Sequence, residues 1–185
     1  MVYSTDMMTI EDAQKLLYEW VESPSLRKHC ESVAVSMKYM AKKYGEDEVM
    51  WTVVGLLHDF DYERYPEMEY HPFKGVEHLK TLGVDEKILR AILGHGNHTG
   101  VNRESLMEKC IFAVDELSGF VGACVLVRPD KDINNLEVSS VKKKLKTKEF
   151  AAKVSREDIA QGAAELGVEI DDLIADVIAA QREGL

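Results

Sequence analysis

Residues 56–75 read LLHDFDYERYPEMEYHPFKG. Two leucines close an apolar run, and His58-Asp59 follow at once, where that run should end as a helix terminus. Asp61, Glu63, Glu67 and Glu69 crowd the next ten positions, and His71-Pro72 then opens a second amphipathic run. Nothing here alternates polar and apolar residues with the period of two that a half-buried strand requires. The stretch therefore reads as helix end, acidic loop and helix start. A polar helix end beside a solvated loop would account for its composition. A metal site would account for its residue types.

Working outward, the same helical pattern repeats. Val49, Val53, Val54, Leu56 and Leu57 mark the helix that ends at His58-Asp59. Upstream, Ser23-Pro24 predicts an N-cap with proline in the first turn. Leu26, Cys30, Val33, Met37 and Met40 continue from it at three/four spacing to a stop near Gly45. A shorter helix precedes it, opened by the capping-box-like Thr9-Ile-Glu-Asp12 and running to about Glu22. Downstream, His71-Pro72 starts a helix reaching Leu82-Gly83. Asp85 to about Leu93 forms another, halted by GHGNHTG at residues 94–100.

Leu106, Cys110, Val114, Leu117 and Val121 then line one face of a long helix that Arg128-Pro129-Asp130 breaks. Gly119, Gly122 and Ala123 on it predict close approach of another backbone. A lysine-rich helix, a helix capped at Ser155-Arg-Glu-Asp158 and an amphipathic helix from Asp171 to Gln181 complete the chain. The apolar face of that last helix either covers the core or pairs with a second subunit in a homodimer. The expected fold is all-α, a single-domain helical bundle over residues 1–185, with a core at about 23–120 and a C-terminal helical extension at about 130–185.

Composition narrows the partners. A chain of 185 residues suits one well-packed domain. Its net charge of −10 argues against long nucleic acids, whose affinity depends on Lys and Arg neutralising phosphates. The basic run VKKKLKTKEF, residues 141–150, is either a solvated helix face or a local attractor for a small phosphorylated ligand. No apolar stretch approaches the roughly 20 residues that span a bilayer. The opening MVYSTDMMTIEDAQ lacks the basic and apolar regions of a signal peptide. Cys30, Cys110 and Cys124 are scattered among apolar neighbours, which predicts reduced thiols and a cytoplasmic location. No nucleotide-binding glycine loop and no GxSxG nucleophile motif is present.

Three polar residues intrude on apolar helix faces. His29 lies three after Leu26 and four before Val33, on or beside the buried stripe. His58 lies four after Val54, and Asp115 lies four after Ile111. A carboxylate at such a position is costly to bury unless something pairs with it. Imidazole nitrogens and carboxylate oxygens together suit zinc, iron, manganese, cobalt or nickel. A bound ion of this kind lowers the pKa of water and polarises phosphoryl oxygens.

The ordered set His29, His58-Asp59, Asp115 resembles the HD-domain superfamily of metal-dependent phosphohydrolases, whose defining pattern is H…HD…D on a helical bundle. The resemblance covers roughly residues 23–120 and includes AVDELSGF around Asp115. It implies that His29, His58, Asp59 and Asp115 bind a first divalent ion. His71-Pro-Phe-Lys-Gly75 resembles the HPxxG element of the two-metal branch, which implies a second ion on His71 and His95 with Asp59 bridging. His98 is the alternative to His95, and His78 reads as a surface or packing residue.

In one place the chain departs from that family. Where many members carry HDIGK, this sequence has Phe60-Asp61-Tyr62, so the phosphate-contacting lysine is missing. Asp61 then either orients the nucleophilic water or acts as general base, or it caps a turn. A replacement phosphate contact would come from Lys74, Arg64, Arg128 or the lysine run, with Lys74 and Arg64 favoured. Glu63, Glu67 and Glu69 read as acids near the rim. The implied activity is hydrolysis of a small phosphomonoester or phosphodiester, a nucleotide among the candidates. The alternatives are an HD-fold dinuclear-iron oxygenase and a non-catalytic metal-containing ligand-binding module.

Overall fold

A computed structural model describes residues 8–184. Residues 1–7, where the reading of the chain start falls, lie outside it. Among the described residues nine α-helices and no strand are present. They are α1 (Ile10–Trp20), α2 (Pro24–Tyr44), α3 (Glu48–Leu57), α4 (Phe73–Thr81), α5 (Glu86–Gly94), α6 (Leu106–Leu126), α7 (Val138–Leu145), α8 (Arg156–Leu166) and α9 (Ile170–Glu183). The protein is all-α, as its periodicity predicts.

Helix starts follow from local chemistry. The side chains of Thr9, Ser23, Asp47, Asp85, Ser105 and Ser155 each accept a backbone N–H from the first turn of the helix they precede. They satisfy donors that a helix N-terminus otherwise leaves orphaned. Gly45 ends α2 at φ 72°, a left-handed conformation that glycine adopts without steric cost.

The two longest helices, α2 and α6, pack on each other and form the centre of the bundle. On their flanks, α3 lies along α2, α8 lies along α6, and α9 spans both. One continuous apolar cluster runs from Leu17 in α1 through Met37, Leu57, Ile92 and Leu117 to Val177 in α9. Leu173, Ile174, Val177 and Ile178 are buried in it, so the apolar face of the last helix covers the chain's own core. The three cysteines are free and buried.

Close backbone approach occurs elsewhere than the sequence suggests. A Cβ on Gly122 would meet nothing within 4 Å, and one on Gly119 would meet only the His29 ring, at 3.5 Å. The close contacts are at Gly55, where a Cβ would lie 2.4 Å from Ala34 Cα, and at Gly162, 2.5 Å from Ala113 Cα. These glycines set the α3–α2 and α8–α6 spacings. Small residues in a sequence mark permission for contact, and only the assembled bundle shows which permission is used.

Candidate metal centre

Four histidines and two aspartates converge at one end of the α2–α6 pair. His29 comes from α2, His58 is the C-cap of α3, Asp59 follows it, His95 is the C-cap of α5, and Asp115 lies midway along α6. His71 stands two residues before α4. Its side chain makes no cap hydrogen bond with that helix and turns inward instead.

The ring orientations have local causes. His58 Nδ1 lies 2.8 Å from the carbonyl of Gly55, and His95 Nδ1 lies 2.6 Å from that of Ile92. Each ring thereby caps a carbonyl in the last turn of its own helix. His71 Nδ1 lies 2.7 Å from Asp61 Oδ1. With Nδ1–H donating in all three, Nε2 is the atom turned toward the cluster.

Two triads result, His29–His58–Asp115 and Asp59–His71–His95, each able to hold a metal ion. In the first, the two Nε2 atoms are 3.2 Å apart, and Asp115 Oδ1 is 3.0 Å from His29 Nε2 and 3.4 Å from His58 Nε2. In the second, the two Nε2 atoms are 3.2 Å apart, and Asp59 Oδ1 is 3.3 Å from each. Asp59 Oδ2 faces the first triad, 3.7 Å from His29 Nε2 and 3.6 Å from His58 Nε2. Donors about 2.1 Å from one ion lie about 3.0 Å apart at a right angle and about 3.4 Å apart at a tetrahedral one. The observed spacings fit both triads, and Asp59 offers one oxygen to each.

The charges show what the cluster demands. Burial by itself would lower the pKa of His58, but Asp59 and Asp115 outweigh it and hold the ring at about 9. His71 is likewise up at about 9, burial being overcome by Asp59 and Asp61. His29 is raised against burial by its hydrogen bond to Asp115. Burial acts to raise Asp59 and Asp115, yet His58 and the other rings keep both below the ordinary carboxylate range. Metal-free, the cluster gathers positive charge as protons. A divalent cation can supply the same charge.

The HD-domain family model matches residues 26–119, which is 94 of the 185 residues and takes in all six of these side chains. The chain belongs to the HD-domain family. No solved structure matches it.

The HD domain opens above these ligands into a cleft of about 520 Å3. Tyr62 and Met68 of the acidic loop, Asn97 and His98 of the glycine segment, and Phe112 and Glu116 of α6 line it outside the triads. Burial, and then the neighbouring Asp115, push the Glu116 carboxyl up to about 7. His98 donates from Nε2 to the His71 carbonyl at 2.9 Å, so of the two histidines in the glycine segment it is His95 that enters a triad. His78 packs its ring 4.6 Å from that of Trp20, away from the cleft.

Several expected roles are displaced. Asp61 is fully buried and outside the cleft lining, with Oδ1 on His71 Nδ1 and Oδ2 accepting the Gly75 N–H at 2.7 Å. It positions His71 and the start of α4. Lys74 is paired with Glu77 at 2.8 Å on the surface. Arg64 lies 4.2 Å over the Trp20 ring and donates to the carbonyls of Glu19 and Trp20. Arg128 is held by Asp130 at 2.9 Å, and Lys142 by Asp171 at 2.6 Å. None of these cations lines the cleft.

Glu63 is also no rim acid. Its Oε2 accepts the N–H groups of Glu22 and Ser23, tying the loop to the α1–α2 junction. Two cleft residues, Lys153 and Asp158, come from the C-terminal extension, beyond the HD match. No local pattern marks them, because their relation to the ligands exists only across the α6–α8 packing. Glu116 carried a weak signal, as the residue after Asp115 in AVDELSGF.

Proposed function

We propose that this HD domain is a metal-dependent phosphohydrolase acting on a small phosphoester, with two divalent ions. The observation that carries this reading is the pair of triads joined through the two oxygens of Asp59. His29, His58, Asp115 and Asp59 would hold the first ion, and His71 and His95, with Asp59 shared, would hold the second. Iron, manganese, zinc, cobalt and nickel suit these donors. When bound, such ions neutralise phosphoryl charge and make a nucleophilic water available at neutral pH.

The protein's own residues confine and orient. Asp61 fixes the His71 ring through Nδ1, and the Gly55 and Ile92 carbonyls fix His58 and His95 in the same way. Tyr62, Met68 and Phe112 supply apolar wall to the cleft. Its volume suits a small substrate. Exposed Glu67 and Glu69 on the loop, and the net charge of −10, disfavour long polyanions.

Metal content per chain, measured by mass spectrometry on anaerobically purified protein, tests the reading when joined to a phosphoester screen. Two ions in the wild type, one in the His71→Ala/His95→Ala double variant, and phosphate release by the wild type alone are expected. One ion in both proteins would remove His71 and His95 from the metal shell. Oxygen-dependent turnover without phosphate release would make the protein an oxygenase instead. No ion after reconstitution would leave a binding module.

A further inference from the structure

With the lysine of HDIGK absent and Lys74 and Arg64 turned away, a side-chain cation that joins the proposed ions in receiving a phosphate has to come from elsewhere in the chain. Among the described residues Lys153 is the one lysine or arginine that lines it. The side chain is exposed and has no hydrogen-bond or ion-pair partner among the described residues. Every other cation that the sequence nominates individually for this task is already occupied by a partner.

The backbone that carries Lys153 is held with unusual thoroughness. Arg156 donates from Nη1 to the carbonyls of Ala151 and Val154, each at 2.7 Å, and from Nη2 to those of Phe150 and Thr147. Its guanidinium lies 4.9 Å from the centre of the Phe120 ring, which anchors it to α6. The Ser155 N–H donates to Glu116 Oε2 at 3.2 Å, so the segment is pinned beside Asp115 as well. A loop stitched down at five carbonyl or amide groups, bearing a cleft-lining lysine with no side-chain partner among the described residues, is a built support for that cation.

We infer that Lys153 receives the terminal phosphoryl oxygen of a phosphomonoester whose other oxygens face the two triads, and that the C-terminal extension thereby completes the substrate site. The inference rests on the phosphohydrolase reading and narrows it. A diester carries one charge and has no third terminal oxygen for the ammonium to meet.

Isothermal titration of inorganic phosphate into manganese-loaded protein tests this without any turnover. Lys153→Ala is expected to bind phosphate about tenfold more weakly, as befits loss of one hydrogen bond to a charged group. Lys153→Glu should bind more weakly still and Lys153→Arg nearly as well as the wild type, with metal content the same in all four proteins. In steady state, Lys153→Ala should raise KM for p-nitrophenyl phosphate more than for bis(p-nitrophenyl) phosphate. Equal phosphate binding by Lys153→Ala and the wild type would overturn the inference, as would no binding by the wild type. If phosphate binds through Lys153 but neither ester is hydrolysed, the anion site stands and the phosphohydrolase reading fails.

Discussion

Asp61 Oδ1 lies 2.7 Å from His71 Nδ1, with both side chains out of solvent. The other oxygen of Asp61 takes the N–H of Gly75, so the carboxylate is an acceptor on both sides. Asn at this position must present its NH2 to one of these partners, setting donor against donor unless His71 changes tautomer. Asp61→Asn is therefore expected to weaken the ion proposed for His71 and His95 by about 10–100-fold, the usual effect of losing an outer partner of a ligating histidine. The ion proposed for His29, His58 and Asp115 should stay. Cobalt(II) titration followed by absorbance would resolve the two; equal weakening at both sites would refute the assignment.

The cluster also predicts how pH acts on stability. His58 and His71, ordinarily near 6.5, are held at about 9 in the folded, metal-free protein. Their stabilisation is fully present below 6.5 and is lost as pH rises through about 9. Asp59 and Asp115 act oppositely: their stabilisation holds above the ordinary carboxylate value of 3.8 and is lost on acidification. The melting temperature of the metal-free protein should thus fall on going from pH 6.5 to 9. Manganese needs neutral rings, so its stabilising increment should grow over the same range. Scanning fluorimetry with and without metal checks both slopes, and a flat metal-free profile would contradict the charge balance described.

Three glycines in helices should respond with opposite signs. Gly55→Ala and Gly162→Ala place a methyl 2.4 Å and 2.5 Å from backbone atoms of the facing helix. Each should cost about 1–3 kcal/mol through overpacking. Gly122→Ala meets nothing within 4 Å. It should gain about 0.5–1 kcal/mol from reduced freedom of the unfolded chain. Urea unfolding of the three variants decides, and a destabilising Gly122→Ala would show that a contact has been missed.

Arg103 joins the cleft to the C-terminal extension. It forks onto Glu165 at 2.7 and 2.8 Å, donates to the Gly94 carbonyl at 3.0 Å and to Asn97 Oδ1 at 2.9 Å, and lies 3.6 Å over the Phe112 ring. A lysine keeps the charge and loses the fork. Arg103→Lys should lower stability by about 1–3 kcal/mol, and loosen the segment holding His95 and Asn97. Amide hydrogen exchange over residues 94–100 would show faster exchange there; unchanged protection would mean that the clamp does not hold this segment.

Much of the candidate metal centre could be read from residues and spacing because its residues sit at positions with local signatures. His29 and Asp115 interrupt apolar stripes, and His58 and His95 stand where helices end. His71 was harder: a histidine before proline also reads as a cap, and its distances to Asp61 and His95 are what separate the two. Asp61 read either as a catalytic group or as a cap, and its bonds to His71 and to the Gly75 N–H are of the second, supporting kind. A carboxylate two residues after His58-Asp59 looks available to solvent until the turn at 58–64 folds it under α4.

By itself the sequence determined the helices, their caps, the buried stripes and the identity of the metal-ligand types, because each follows from forces acting within a few residues: 3.6-residue periodicity, capping hydrogen bonds and the cost of burying charge. Tertiary structure decided which glycines touch, how the four histidines and two aspartates divide into two triads, which cations are spent on surface pairs, and that Lys153 lines the cleft from outside the HD match. Those are relations between residues far apart in the chain, set by how α2, α6 and α8 pack, and no local pattern encodes them.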